Sequence, residues 1–262
     1  MKQLLLILAI FINVQLIQAE RLCFVGDMGT GTKEQYKVAD AMKNAKCDAI
    51  MVTGDVVYPI GIKGINDAQF MLKFLTPYKE LLRTTKFYLS LGNHDYYGDP
   101  DAWLQVGLHY PNIVFPHFWY KFDIDGYCLY SIDTNGVKFK QWKWLRKEVK
   151  KDTCRKKIVF GHHPYRSSGD HGDVNFIKKA MYRYAFIGKV NLFVAGHDHH
   201  LSDEGTKRGT RLLISGAGGK LRPLAKKPVW GVSDYGFVVV DSSNDTYTFF
   251  DADLNMLYSA GF

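Results

Sequence analysis

The residues of this chain best suited to chemistry stand directly behind glycines: Asp27 after Gly26, Asp55 after Gly54, Asn93 after Gly92, His162 after Gly161 and His197 after Gly196. The last of these opens the run His197-Asp198-His199-His200, three imidazoles within four residues of a chain that holds 9 His. Read singly, each pair is a turn, a helix cap or a polar loop. Five in one chain form a different pattern, because mixed clusters of imidazole and carboxylate are what metal sites require. Carboxylate, amide oxygen and imidazole suit iron, zinc or manganese, and the absence of Cys at these positions argues against a structural thiolate site. Such a donor set fits two ions that share a bridging carboxylate, and ions roughly 3.5–4 Å apart clamp a phosphoryl group and activate water.

Each pair ends a short apolar run of strand length, at residues 21–25, 48–52, 87–91, 157–160 and 191–194. In α/β sheets, sites lie beyond the carboxyl ends of the strands, and a Gly there permits the sharp turn that brings side chains from separate strands together. Between the runs, the apolar spacing predicts helices over 33–46, 67–82, 101–108, 139–149 and 174–184. The aromatic, alternating segment 115–130, with an Asp125-Gly126 turn, reads as an antiparallel hairpin. From Arg211 onward the texture changes to short strands at 211–214, 236–240 and 246–250. Strands and helices therefore alternate through the first two thirds and strands dominate the last, which fits a single α/β domain with two sheets sharing one core.

Of the 262 residues 47% are hydrophobic and 23% charged, ordinary globular proportions. The net charge of +8, from 34 Lys and Arg against 26 Asp and Glu, favours anionic partners. The cations are spread along helices such as 138–151 rather than interleaved with stacking aromatics, so we expect a solvated face and no specific nucleic-acid partner. Residues 1–19 combine Lys2, an apolar run over 4–14 and a terminal Ala19, and read as a signal peptide with the domain at 20–262. That run is too short to favour a membrane span, and no comparable run follows it. The expected compartment is an exported one: secreted, periplasmic or lysosomal in type. Of the four cysteines, Cys23 lies in an apolar run and reads as a core residue, Cys47 has no assigned role, and Cys128 and Cys154 are candidates for a disulfide.

The set Gly26-Asp27-Met28-Gly29, Gly54-Asp55-Val56-Val57-Tyr58, Gly92-Asn93-His94-Asp95, Val159-Phe160-Gly161-His162 and Gly196-His197-Asp198-His199 resembles, in order, the five motifs of the purple acid phosphatases. These are calcineurin-like metallophosphoesterases, and the short tartrate-resistant type is the most similar; Ser215-Gly216-Ala217-Gly218 extends the resemblance to nearly all of the mature chain. The resemblance implies an α/β/β/α sandwich, two mixed β-sheets flanked by helices. It implies a ferric ion held by Asp27, Asp55, Tyr58 and His199, with a divalent iron, zinc or manganese held by Asp55, Asn93, His162 and His197. Tyr58 is the discriminating residue, because tyrosinate bound to ferric iron gives the purple enzymes their colour.

The implied reaction is hydrolysis of phosphate monoesters, small molecules or phosphoproteins, by a metal-activated hydroxide. His94 and His171 would bind the phosphate and protonate the leaving group, which an imidazolium can do in acid. His163 and His200 match no ligand position and take a supporting or surface role, and Asp198 is an orienting neighbour. The segment between Asp133 and Trp144 is short where the mammalian enzymes carry a proteolytically cut inhibitory loop, so activation by cleavage is not expected. Met28 stands where Trp is frequent, which affects no ligand. We expect a monomer. An exported phosphodiesterase or nuclease of the same superfamily is the alternative, and an interaction protein without catalysis is a third reading.

Overall fold

The computed structural model describes residues 20–262. The signal-peptide assignment at 1–19 lies outside the described residues.

Alternation of side chains across each strand decides the layering. In β1 (Arg21–Val25), Leu22 and Phe24 face one core while Cys23 and Val25 face another, and all four are buried. A strand buried on both faces belongs in the middle of a layered molecule, which is why its sequence is nearly continuously apolar. The same holds for β2 (Ala49–Thr53), which pairs parallel to β1, and for β3 (Lys86–Ser90), which pairs parallel to β2. The two-residue β4 (Ile113–Val114) ends that side.

The aromatic hairpin is present as β5 (Tyr120–Ile124) and β6 (Tyr127–Ser131), turning at Asp125 and Gly126. β6 continues through β7 (Lys156–Phe160), β8 (Leu192–Ala195) and β10 (Thr210–Ser215) in parallel, with β9 (Leu201–Lys207) and β11 (Trp230–Val232) antiparallel beyond. β12 (Gly236–Asp241), β13 (Thr246–Asp251) and β14 (Met256–Gly261) return to the first sheet, β12 lying antiparallel to β1. The orders are β14-β13-β12-β1-β2-β3-β4 and β11-β9-β10-β8-β7-β6-β5, two mixed sheets of seven strands.

Three cores follow. Leu22, Phe24 and Met51 meet Leu129, Ile158, Phe160 and Val194 between the sheets. Val38 and Met42 of the helix Lys33–Asn44, together with Phe70, Phe74 and Trp103, cover the outer face of the first sheet. Trp142 and Leu145 of the helix Phe139–Lys151 and Tyr182 of the helix Phe176–Ala185 cover the outer face of the second. This is the expected sandwich of two mixed sheets flanked by helices.

Three sequence expectations need correction. The segment 67–82 is not one helix but a short helical turn Ala68–Phe70, a π turn Met71–Leu75 and a 3-10 turn Leu81–Arg83. Pro77 has no N–H to give Lys73, and the freed Lys73 carbonyl accepts instead from Gln35 Nε2 at 2.7 Å. The strand β9, LSDEGTK, escaped notice because its buried polar side chains hide the apolar period of a strand. Cys23 is a core residue but not a free one, since it is disulfide-bonded to Cys47 with Cα atoms 5.7 Å apart. Cys128 and Cys154, candidates for a disulfide in the sequence, do form one, with Cα atoms 5.8 Å apart.

The two sheets are stitched at one end. Ser90 Oγ donates to the Ile132 carbonyl at 2.8 Å, Ser131 Oγ to the Leu89 carbonyl at 2.9 Å and Ser215 Oγ to the Phe24 carbonyl at 2.7 Å. These side chains lie at the carboxyl ends of the parallel strands, so the loops that leave both sheets there are held against each other.

Candidate metal centre

All five glycine-led pairs leave the carboxyl ends of β1, β2, β3, β7 and β8 at that stitched end. The glycines act differently from expectation. Asp27, Asp55 and His197 themselves take the left-handed backbone, with φ of 56°, 50° and 72°. Such conformations cost about 1–3 kcal/mol in a non-Gly residue and gather at functional sites. At Gly92 the requirement is close approach, because a Cβ there would strike the Asp55 side chain and backbone. Gly54, at φ 94°, does supply the backbone freedom expected of it.

The side chains converge in two groups that share Asp55. Tyr58 Oη lies 2.9 Å from Asp27 Oδ1, 2.8 Å from Asp55 Oδ2 and 3.1 Å from His199 Nε2. In the second group His162 Nε2 lies 3.0 Å from Asn93 Oδ1, 3.2 Å from His197 Nδ1 and 3.4 Å from Asp55 Oδ1. His162 Nδ1 faces the Thr53 carbonyl at 2.9 Å. A carbonyl only accepts, so Nδ1 carries the proton of the neutral imidazole and Nε2 turns its lone pair to the other donors.

Backbone amides hold the carboxylates in place across strands. The His197 amide donates to Asp27 Oδ2 at 2.9 Å, and the His94 amide donates to Asp55 Oδ1 at 2.8 Å. Buried Asp95 accepts from the amides of Val56, Val57 and Gly92 at 3.0, 3.3 and 2.8 Å, tying the loop after β2 to the loop after β3. Asp95 lies inside the Gly92-Asn93-His94-Asp95 motif, yet nothing in the sequence marks it as this tie, because Val56 and Val57 stand 39 and 38 positions away.

The candidate acids occupy the rim. His94 Nδ1 lies 2.6 Å from the Pro59 carbonyl, and its ring packs 4.4 Å from the Tyr58 ring, leaving Nε2 4.0 Å from Asp55 Oδ2. His171 is exposed, and its ring stacks 4.3 Å from that of His197. Asp198 orients this loop: it accepts from the His171 amide at 3.0 Å and from the Ser167 hydroxyl. His163, half-buried, receives Thr134 Oγ1 at 2.7 Å from its Nδ1 and packs on His197. His200 is fully buried, 3.0 Å from Ser202 Oγ, so its role is supporting rather than superficial.

Electrostatics agree with a cation-binding donor set. Burial lifts the Asp27 carboxyl to about 7, and Asp55 adds to that; burial and the two carboxylates push the Tyr58 phenol well above its ordinary 10. Burial pulls His199 down to about 4, helped by Arg222 and Lys220, and pulls His197 far below the ordinary imidazole value, helped by His162. Neutral imidazoles are the ligating form, and a carboxyl that resists ionising, as Asp27 does, is a group a polyvalent cation stabilises. The phenol offers one proton to two carboxylates and an imidazole within 3.1 Å, so at least one carboxylate contact sets lone pair against lone pair. The residues present fit a pair of metal ions. A second group, Asp123 with Cys128 and Cys154, does not, because its sulfurs are joined.

A donor set of this kind on the joined ends of two sheets defines a class. The calcineurin-like phosphoesterase family matches residues 20–201, and the chain belongs to that family. Within it, the chain is similar to tartrate-resistant acid phosphatase type 5 of Homo sapiens, 24% identical over 92% of this chain and 90% of that one. It is also similar to purple acid phosphatase 7 of Arabidopsis thaliana, 29% identical over 75% and 69% of the two chains. Among solved structures, the purple acid phosphatase of yellow lupin seeds shares the fold at TM-score 0.67 and 16% identity, over 92% of this chain and 53% of that one. The anchor in the inner membrane complex of Plasmodium shares it at TM-score 0.80 and 22% identity, over 93% and 88%.

Proposed function

We propose that this metallophosphoesterase is an exported acid phosphatase that hydrolyses phosphate monoesters at a binuclear Fe(III)–M(II) centre. Asp27, Asp55, Tyr58 and His199 would hold the ferric ion, and Asp55, Asn93, His162 and His197 the divalent iron, zinc or manganese. The carrying observation is Tyr58 Oη within 2.8–3.1 Å of both carboxylates and His199, a phenol where a phenolate ligand would stand. Bound there, the two ions would supply charge neutralisation of the phosphate and acidification of the attacking water.

The chain's own residues supply the rest. His94 donates its Nδ1–H to the Pro59 carbonyl, so it is the imidazolium, with a second proton on Nε2, that donates to the phosphoryl oxygens beside Asp55. The water oxygen bonds to phosphorus as the bond to the ester oxygen breaks, and the departing oxygen takes a proton from His171. Although its side chain reaches solvent, partial desolvation where its ring stacks on His197 lowers the His171 pKa below the ordinary value of 6.5, against the opposing pull of Asp198. The imidazolium is therefore populated only in acid, which agrees with acid phosphatase activity. Export is supported by two disulfides and by the signal-like composition of residues 1–19. Among the described residues no helix is long and apolar enough to cross a membrane.

The competing reading is an interaction protein without catalysis. The complete donor set and both candidate acids favour hydrolysis over it, and Tyr58 with His171 favours a monoesterase over a diesterase. The test is spectroscopic. The iron-loaded, oxidised protein should absorb in the visible, and Tyr58→Phe should abolish that band while metal content stays near two per chain; a colourless iron-loaded wild type overturns the assignment. His171→Ala should lower kcat by about 10²-fold for alkyl phosphates with poor leaving groups, the worth of one general acid, and much less for p-nitrophenyl phosphate. An equal loss on both substrates removes His171 from the acid role.

A further inference from the structure

Beside the donor cluster lies a cavity of about 450 Å³ whose floor is Tyr58 and Pro59 and whose walls include Thr32, Lys73, Lys220 and Tyr235. Lys220 Nζ stands 4.2 Å from the centre of the Tyr58 ring, so the cavity opens directly onto the candidate ferric ligand. Two residues on, the Arg222 amide donates to the His199 carbonyl at 2.8 Å, which fixes the Arg222 backbone beside the donor cluster. Among the described residues neither Lys220 nor Arg222 has a carboxylate within salt-bridge distance or a side-chain hydrogen bond, and both are half-buried. Lys73, the third cation, also lacks a carboxylate and donates to the Tyr58 carbonyl at 2.5 Å.

Elsewhere on this chain cations near carboxylates pair with them, as Lys121 does with Asp152 and Arg155 with Asp245. Unpaired cations at the edge of a cluster of buried carboxylates serve an incoming anion rather than the fold.

The geometry points to a second anion subsite: Lys220 and Arg222, flanked by Lys73, bind a negatively charged substituent on the leaving group of the substrate. The preferred substrates are then phosphate esters or anhydrides that carry a second phosphoryl group or a carboxylate close to the scissile bond, over esters of neutral alcohols. This inference rests on the hydrolase reading for turnover but not for binding. Arg222 supplies a planar pair of donors to such a group, and Lys220 a compact charge.

The experiment compares pyrophosphate with p-nitrophenyl phosphate, and methylenediphosphonate with methylphosphonate, on the metal-loaded wild type, Lys220→Gln/Arg222→Gln and Lys220→Arg. We expect the ratio of kcat/KM for pyrophosphate to that for p-nitrophenyl phosphate to fall about tenfold in the double variant, and to persist in Lys220→Arg. The preference for methylenediphosphonate over methylphosphonate, read by calorimetry, should fall with it, and the wild-type ratio should shrink as salt is raised. A ratio unchanged in the double variant, or a wild type that binds both phosphonates equally, overturns the subsite. A wild type inactive on both pyrophosphate and p-nitrophenyl phosphate overturns the hydrolase reading instead, and the phosphonate preference still decides the subsite.

Discussion

If the proposed binuclear centre is right, Asp55→Asn should lower kcat/KM for p-nitrophenyl phosphate by about 10³-fold or more and reduce metal content from two ions per chain toward one or none. Asp55 is the side chain common to both donor groups: Oδ2 stands 2.8 Å from Tyr58 Oη and Oδ1 stands 3.4 Å from His162 Nε2. An amide retains one oxygen, which can still accept from the His94 amide, so the fold loses little. It cannot present two anionic oxygens to two cations. Outer-shell partners of metal ligands already cost about 10–100-fold when removed, and a shared ligand must cost more. Metal analysis beside steady-state kinetics tests this. A variant that keeps two ions and near wild-type turnover would remove Asp55 from the bridging position.

Asp95→Ala should cost about 3 kcal/mol of folding stability or more, read as a fall in the urea midpoint at constant slope. Three backbone amides, of Val56, Val57 and Gly92, donate to this one buried carboxyl, and alanine strands them away from water. Burial first, and then the neighbouring Asp55, raise the Asp95 pKa well above the ordinary carboxyl value. Its oxygens accept in either protonation state, so Asp95→Asn, which keeps one acceptor, should cost clearly less than Asp95→Ala. The alanine variant should also bind metal more weakly, since Asp55 and Asn93 leave the two loops that Asp95 joins. A loss below about 1 kcal/mol would show that those amides find other partners.

Much of this was legible along the chain. Apolar runs ending in a Gly and a ligating residue mark strand ends, because strand burial and ligand chemistry are both local choices of residue type. The five pairs therefore located the strands β1, β2, β3, β7 and β8 and the donors beyond them. Less legible were features whose cause lies elsewhere in the fold. The 67–82 segment satisfies a helical period, but Pro77 and the partner Gln35, 38 positions from Lys73, break it. β9 is polar in sequence because Asp203 accepts from Tyr247 at 2.6 Å and Glu204 from Ser168 at 2.8 Å, partners that no local pattern announces. Cys23 looked like core packing because a disulfide and an apolar contact ask the same of a strand.

The kinds of donor, their order and the strands that carry them are properties of the amino-acid sequence, since side-chain chemistry and periodicity are set residue by residue. Tertiary structure alone decided two other things: that Asp95 ties the loops after β2 and β3, and that Lys220 stands over the Tyr58 ring with no carboxylate partner among the described residues. The physical reason is distance along the chain. Asp27 and His197 stand 170 positions apart and meet only when β1 and β8 lie in sheets packed face to face, with both loops leaving the same end. Hydrogen bonds of that span, and charges whose partners are missing, exist only in three dimensions.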